Sequence, residues 1–122
     1  MVKLSGFLSQ SLQEFQSYIS KGTIPVVVYF FTNSCSVCKA VTPRLREYPG
    51  RFPDTEIIHL NAEVAADIAQ FYRILAVPTF IIFREGKERL RIIGGDLRRL
   101  EEGIKDQLGM QRVPSAVDMT YL

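Results

Sequence analysis

The chain has 122 residues, 47% hydrophobic and 23% charged, which suits one globular domain with a single core and no need of staples. A formal net charge of only +2 gives no argument for nucleic acid or an anionic membrane as partner. No apolar run approaches the roughly 20 residues of a spanning helix, and Met1–Gln10 lacks the apolar stretch of a signal peptide, so a cytoplasmic location is the default expectation.

In chain order, Val2–Leu4 reads as a short strand. Ser9 or Ser11 can cap a helix to about Ser20 that carries Leu8, Leu12, Phe15 and Ile19 on one face and closes at Gly22. Pro25 opens Val26–Phe31, six β-branched or aromatic residues expected to be buried on both faces. Thr32-Asn33-Ser34 is a polar turn with capping residues. The helix after it runs through Val41 and Leu45 towards Tyr48, with Pro43 as a kink position. Residues 49–54 read as a loop, 55–61 as a second buried strand, and 63–72 as a short helix. Thr79–Arg84 and Lys87–Ile93 form a hairpin about Glu85-Gly86. Gly94-Gly95 breaks the strand, Asp96 caps, and Leu97–Leu108 is the last helix, ended by Gly109. Crossover helices make the early strands parallel and the hairpin adds an antiparallel edge. The expected fold is α/β, a mixed sheet of four to five strands with helices on both faces. Residues 1–109 form the domain, and residues 110–122 a tail, docked or disordered.

Cys35 and Cys38 are the only cysteines. A bridge between them closes so small a loop that it barely constrains the unfolded chain. The pair is therefore chemical, metal-binding or incidental. It follows a strand and opens a helix, where unpaired N–H groups and the positive end of the dipole favour a thiolate, the reactive form. Cys35 is thus expected to ionise below the free cysteine value of about 8.5, and Cys38, one turn on and more enclosed, to resolve a mixed disulfide. Lys39 adds positive potential or is simply solvated. A zinc or iron–sulfur site needs about four ligands; His59 is the only histidine, so a metal would have to be shared across a dimer.

The segment VVVYFFTNSCSVCKAVTPRL resembles the active-site strand and helix of the thioredoxin family. Pro43 stands five residues after the second cysteine, as is usual there. Val77-Pro78-Thr79-Phe80 resembles the family's cis-proline segment, and Gly86 and Gly94 keep the family spacing from it. The resemblance, from about Val2 to Leu108, implies a thioredoxin fold and a cis Pro78 beside the cysteines, with the Val77 backbone free to pair with an extended substrate strand. Ser34, Ser36 and Val37 would then line the site. The bland reading of Pro78 is a loop proline that starts a strand.

Departures from the family pattern are as informative. Thioredoxins typically carry Trp-Cys-Gly-Pro-Cys; here Ser34 precedes Cys35-Ser36-Val37-Cys38, and there is no Trp. Tyr29 stands where the family has a buried Asp, and His59 where a partner Lys is common. One expectation is that Tyr29 and His59 meet beneath the cysteines and that His59, or a water it holds, replaces the missing carboxylate. The other is that Tyr29 packs in the core while His59 bonds locally.

The leading expectation is a protein-disulfide reductase that needs no bound cofactor and, by family analogy, receives electrons from a thioredoxin-reductase-type donor. The alternatives are a thioredoxin-like binding module with weak or no redox activity, and the shared metal site. Lys87, Arg89 and Arg91, with Arg84 near, form either a patch for an acidic partner or a solvated strand face. Phe7, Phe15, Phe30, Phe31, Phe71, Phe80 and Phe83 read as core, and Arg98, Arg99, Glu101 and Glu102 as an ordinary charged helix surface.

Overall fold

Strand β1, Val26–Phe31, is the hydrophobic run expected from sequence, and its first five residues are buried. Such a strand needs cover on both faces and neighbours on both edges. In the computed structural model, which describes residues 12–109, it has all four. Its neighbours are β2, Glu56–Asn61, which is parallel, and β3, Thr79–Arg84, which is antiparallel. Strand β4, Lys87–Ile93, completes the order β2-β1-β3-β4. The expected strand at Val2–Leu4, the Leu8 contact, the Ser9 or Ser11 cap, Phe7 and the tail 110–122 lie outside the described residues.

The period of two along β1 divides the core. Val27 and Tyr29 join Leu45, Leu100 and Ile104 on one face. These come from α2, Ser36–Leu45, and α5, Leu97–Leu108. Val26, Val28 and Phe30 join Phe15, Ile19 and Ile68 on the other, from α1, Leu12–Ser20, and α4, Ala66–Phe71. The hairpin turns where expected, with positive φ at both Glu85 and Gly86, as a two-residue primed turn requires. A Cβ on Gly86 would stand 2.6 Å from the Ser20 hydroxyl, so glycine also lets the turn lie against the end of α1. Asp96 caps α5 by accepting the Arg99 N–H, and Gly109 ends it in the left-handed conformation.

Several expectations are corrected. The long helix breaks after Leu45, and residues 49–54 are not all loop: a short helix α3, Tyr48–Arg51, starts with Pro49 in its first turn, where a missing N–H costs nothing. The helix expected over 63–72 is shortened to Ala66–Phe71. Strand β2 is not buried throughout; among the described residues it has one strand neighbour, and only Ile58 and Leu60 of the strand are enclosed. As expected, β1–β2 is parallel and the β3–β4 hairpin antiparallel; β3 also pairs antiparallel with β1. Phe71 is 55% exposed rather than core. Ile68 and Ala69 take the inward positions of α4, and the Tyr72 ring packs edge-on to Phe15 and Phe83.

The basic alternation on β4 does not survive either. Phe83 pairs with Glu88 and Ile82 with Leu90, so Arg89 is the extra residue of a bulge. That slip brings Glu88 to Arg91, at 2.8 Å. Arg84 turns inward instead, donating to the backbone carbonyls of Thr23 and Gln107.

Glu101 is more than helix surface. The buried Tyr48 donates to it at 2.7 Å and Arg51 pairs with it at 2.9 Å, tying α5 to α3. The Arg51 hydrogen bond, helped by that of Tyr48, holds the Glu101 carboxyl below the ordinary range. A depressed folded-state pKa adds stability that is present above the unfolded value of about 4.3 and lost as pH falls through the folded one. Glu101→Gln is therefore expected to flatten the acid limb of a stability–pH curve from urea melts below about pH 5. Tyr48→Phe is expected to lower stability at neutral pH by about 1 kcal/mol, the usual net worth of a hydrogen bond.

Candidate active site

Helix α2 begins on a sulfur atom. Cys35 is its N-cap, with extended φ −84° and ψ 111°, and its Sγ accepts the Cys38 N–H at 3.1 Å. A helix start leaves N–H groups unpaired, and an oxygen side chain normally takes one. Here the Cys35 sulfur does so, three residues before the helix's first inward-facing side chain. Cys35 is partly exposed, whereas Cys38 is 2% exposed. The two form a disulfide with their Cα atoms 5.2 Å apart.

The polar turn after β1 sets this position. The Cys35 N–H donates to the Thr32 carbonyl, which closes the turn and aims the helix back across the sheet. Ser34 and Ser36 are exposed beside the disulfide. Val37 is 48% exposed. Gly95 lies close under it, since a Cβ there would stand 2.9 Å from Val37 Cγ1. A bulkier residue at Gly95 would displace Val37.

The Val77-Pro78 bond is cis. Pro78 is buried, its carbonyl accepts from Gly94 N–H at 2.8 Å, and Val77 packs against the core cluster that holds Cys38 and borders Cys35. The structure thus brings Cys35, Cys38, Val77 and Tyr29 together on one face of the sheet.

Tyr29 and His59 are cross-strand partners in the parallel β1–β2 ladder. Their rings meet edge to face at 5.2 Å. Tyr29 is fully buried, and its ring also stacks on Phe80. Its hydroxyl reaches the Cys38 carbonyl at 3.2 Å and the Thr42 hydroxyl at 2.9 Å, while Thr42 donates to the same carbonyl at 2.9 Å. Burial pushes the Tyr29 pKa up, partly offset by the Thr42 hydrogen bond, so this group donates and does not act as a base. Thr42 escaped the sequence reading; its place four residues after Cys38, where a helical hydroxyl reaches the i−4 carbonyl, was the available signal. Among the described residues no three of His, Cys, Asp and Glu are grouped to hold a metal ion.

A family model described as thioredoxin matches residues 6–106. The chain belongs to the thioredoxin family. Thioredoxin Asp f 28 of Aspergillus fumigatus is 35% identical over 82 residues, 66% of this chain and 76% of that protein. Thioredoxin-2 of Saccharomyces cerevisiae is 28% identical over 95 residues, 78% of this chain and 91% of that one. The crystal structure of oxidised mitochondrial thioredoxin 3 from Saccharomyces cerevisiae superposes with a TM-score of 0.74 at 29% identity, covering 84% of this chain and 97% of that one. The fold is the thioredoxin fold, and the protein is a thiol–disulfide oxidoreductase, an enzyme of the thioredoxin family. No helix among the described residues is long and apolar enough to cross a membrane.

His59 yields a prediction of its own. Burial, with the positive charge of Arg46 second, lowers its pKa. The unfolded state then binds the proton more readily, so stability rises with pH across the interval between the two values. This contribution is complete above about pH 6.5 and is lost as pH falls through the folded value. His59→Asn is expected to remove that slope from denaturant midpoints measured across the interval.

Proposed function

We propose that the protein reduces protein disulfides, with Cys35 as nucleophile and Cys38 as resolving thiol. The observation that carries this reading is the Cys38 N–H directed at the partly exposed Cys35 sulfur. The same donor that caps the helix would stabilise a Cys35 thiolate, and the enclosure of Cys38 keeps it for the second step. The Cys35 thiolate attacks one sulfur of the substrate disulfide. An S–S bond forms to Cys35 as the substrate bond breaks, and one substrate thiolate leaves. The Cys38 thiolate then attacks Cys35 Sγ. The Cys35–Cys38 bond forms, the second substrate thiolate leaves, and two electrons have passed to the substrate.

Ser34, Ser36, Val37 and Pro78 shape the contact surface in this reading, and the Val77 backbone pairs with an extended substrate segment. A thioredoxin-reductase-type donor returns the protein to the dithiol, and the cytoplasm is its proposed compartment. No metal or bound cofactor takes part. Tyr29 is a positioning residue: its hydroxyl and that of Thr42 fix the Cys38 carbonyl and so the first turn of α2. His59 acts through packing on Tyr29. The pH profile of exchange is therefore expected to keep its shape in His59→Asn, and a displaced profile would instead make His59 the base that takes the Cys38 proton.

Cys38→Ser is expected to accumulate mixed disulfides on Cys35, visible as dithiothreitol-releasable adducts by mass spectrometry. Cys35→Ser should give none, and either change should abolish insulin reduction with dithiothreitol as reductant. Partners retained equally by a protein lacking both cysteines would favour the binding-module reading, for which the absent Trp and Gly-Pro are the motive.

A further inference from the structure

Beside the disulfide lies a pocket of about 320 Å³ whose cations have no anion opposite them. Its long wall is one stripe of α2 and its cap: Lys39, Thr42, Pro43 and Arg46. These stand at i, i+3, i+4 and i+7, the spacing that puts side chains on a single helical face. The adjacent stripe, with Cys38, Val41 and Leu45, is the buried one. Thr32 and Asn33 of the turn form the opposite wall, and Cys38 lines the inner end.

The lining therefore offers two fixed positive charges, two hydroxyls and an amide, and no carboxylate. Another pocket of the described surface differs: it has Lys21 but also Glu56, already engaged by the Tyr18 hydroxyl. Lys39 and Arg46 are exposed and make no ion pair with an acid among the described residues. Arg46 also contributes to holding His59 in its neutral form, so its field reaches the base of the site. A volume of this size accepts a small organic ligand or a side chain and sits at the lower end of common ligand pockets.

We propose that this pocket receives a carboxylate carried next to the substrate's disulfide, so that the enzyme prefers disulfides flanked by acidic groups. The inference rests on the exchange reading above and adds a specificity to it. The carboxylate would sit between Lys39 and Arg46 while the substrate sulfur meets Cys35 outside the pocket. Arg46 supplies a fork that a carboxylate can take bidentately. Thr32 and Asn33 line the opposite wall and carry O–H and N–H donors that a carboxylate can accept from.

Two measurements on the full chain test this. The reduced protein is reacted with 3,3′-dithiodipropionate, which carries two carboxylates, with neutral 2-hydroxyethyl disulfide, and with cationic cystamine. The dicarboxylate is expected to react fastest after correction for its reactivity towards dithiothreitol. The ratio of dicarboxylate to neutral rates should fall roughly two- to fivefold in Arg46→Gln, as expected for one exposed charge contact. It should also collapse in 1 M salt, where the screening length is about 3 Å. Separately, the oxidised protein is titrated with glutarate and followed by amide NMR, with shifts expected at Thr32, Asn33 and Thr42 and lost in the Lys39→Gln, Arg46→Gln double variant. A rate ratio unchanged by Arg46→Gln, or glutarate shifts absent or located elsewhere, overturns the proposal. Absence of exchange with all three disulfides would overturn the reductase reading, and the glutarate titration would still decide whether the pocket takes a carboxylate.

Discussion

The contact on which the rest of the site depends is the hydrogen bond from the Cys38 N–H to Cys35 Sγ. A helix start must satisfy its first N–H groups, and most do so with an oxygen side chain or water. In this chain the acceptor is the sulfur proposed as the nucleophile. Stabilising the helix and stabilising negative charge on that sulfur are the same interaction, so the reactive group cannot drift from its place without uncapping α2. Everything behind it serves to hold that helix end still. Strand β1 is pinned on both edges, the Thr32 carbonyl closes the turn, and the hydroxyls of Tyr29 and Thr42 hold the Cys38 carbonyl from below.

Most of this was legible in the residues because the physics is local. The run Val26–Phe31, the turn Thr32–Ser34, Gly86, Asp96 and Gly109 each carry a backbone consequence that hardly depends on distant context. The misreadings arose where context decides. Phe71 is apolar yet exposed because α4 is one short helix whose inward places were already taken. Strand β2 looked as buried as β1, since apolar content does not reveal how far each position of a strand is covered. The alternation Lys87, Arg89, Arg91 suggested one face until a bulge shifted the register beneath it.

The site shows the same division. The cysteines could be located from strand–turn–helix context, and Pro78 from the family resemblance. Pairing of Tyr29 with His59 required the register of two strands 30 residues apart in sequence. Thr42 required knowing that Tyr29 points at α2 and not merely into the core. What lies under Cys38 is a pair of hydroxyls, from Tyr29 and Thr42, that bind its carbonyl. The charged side chains that line the pocket with Cys38, Lys39 and Arg46, stand on the exposed stripe of α2 and its cap.

The bulge at Arg89 has a consequence beyond side-chain placement. Among the described residues strand β4 ends the sheet, and one row of its backbone groups faces outward with no described strand beside it. Such a row is a template for another chain's strand, and an open edge of this kind invites ribbons of stacked molecules. Here the extra residue skews the edge, and Lys87, Glu88 and Arg89 stand exposed along it. The skew and the charges together make this edge a poor template for another strand.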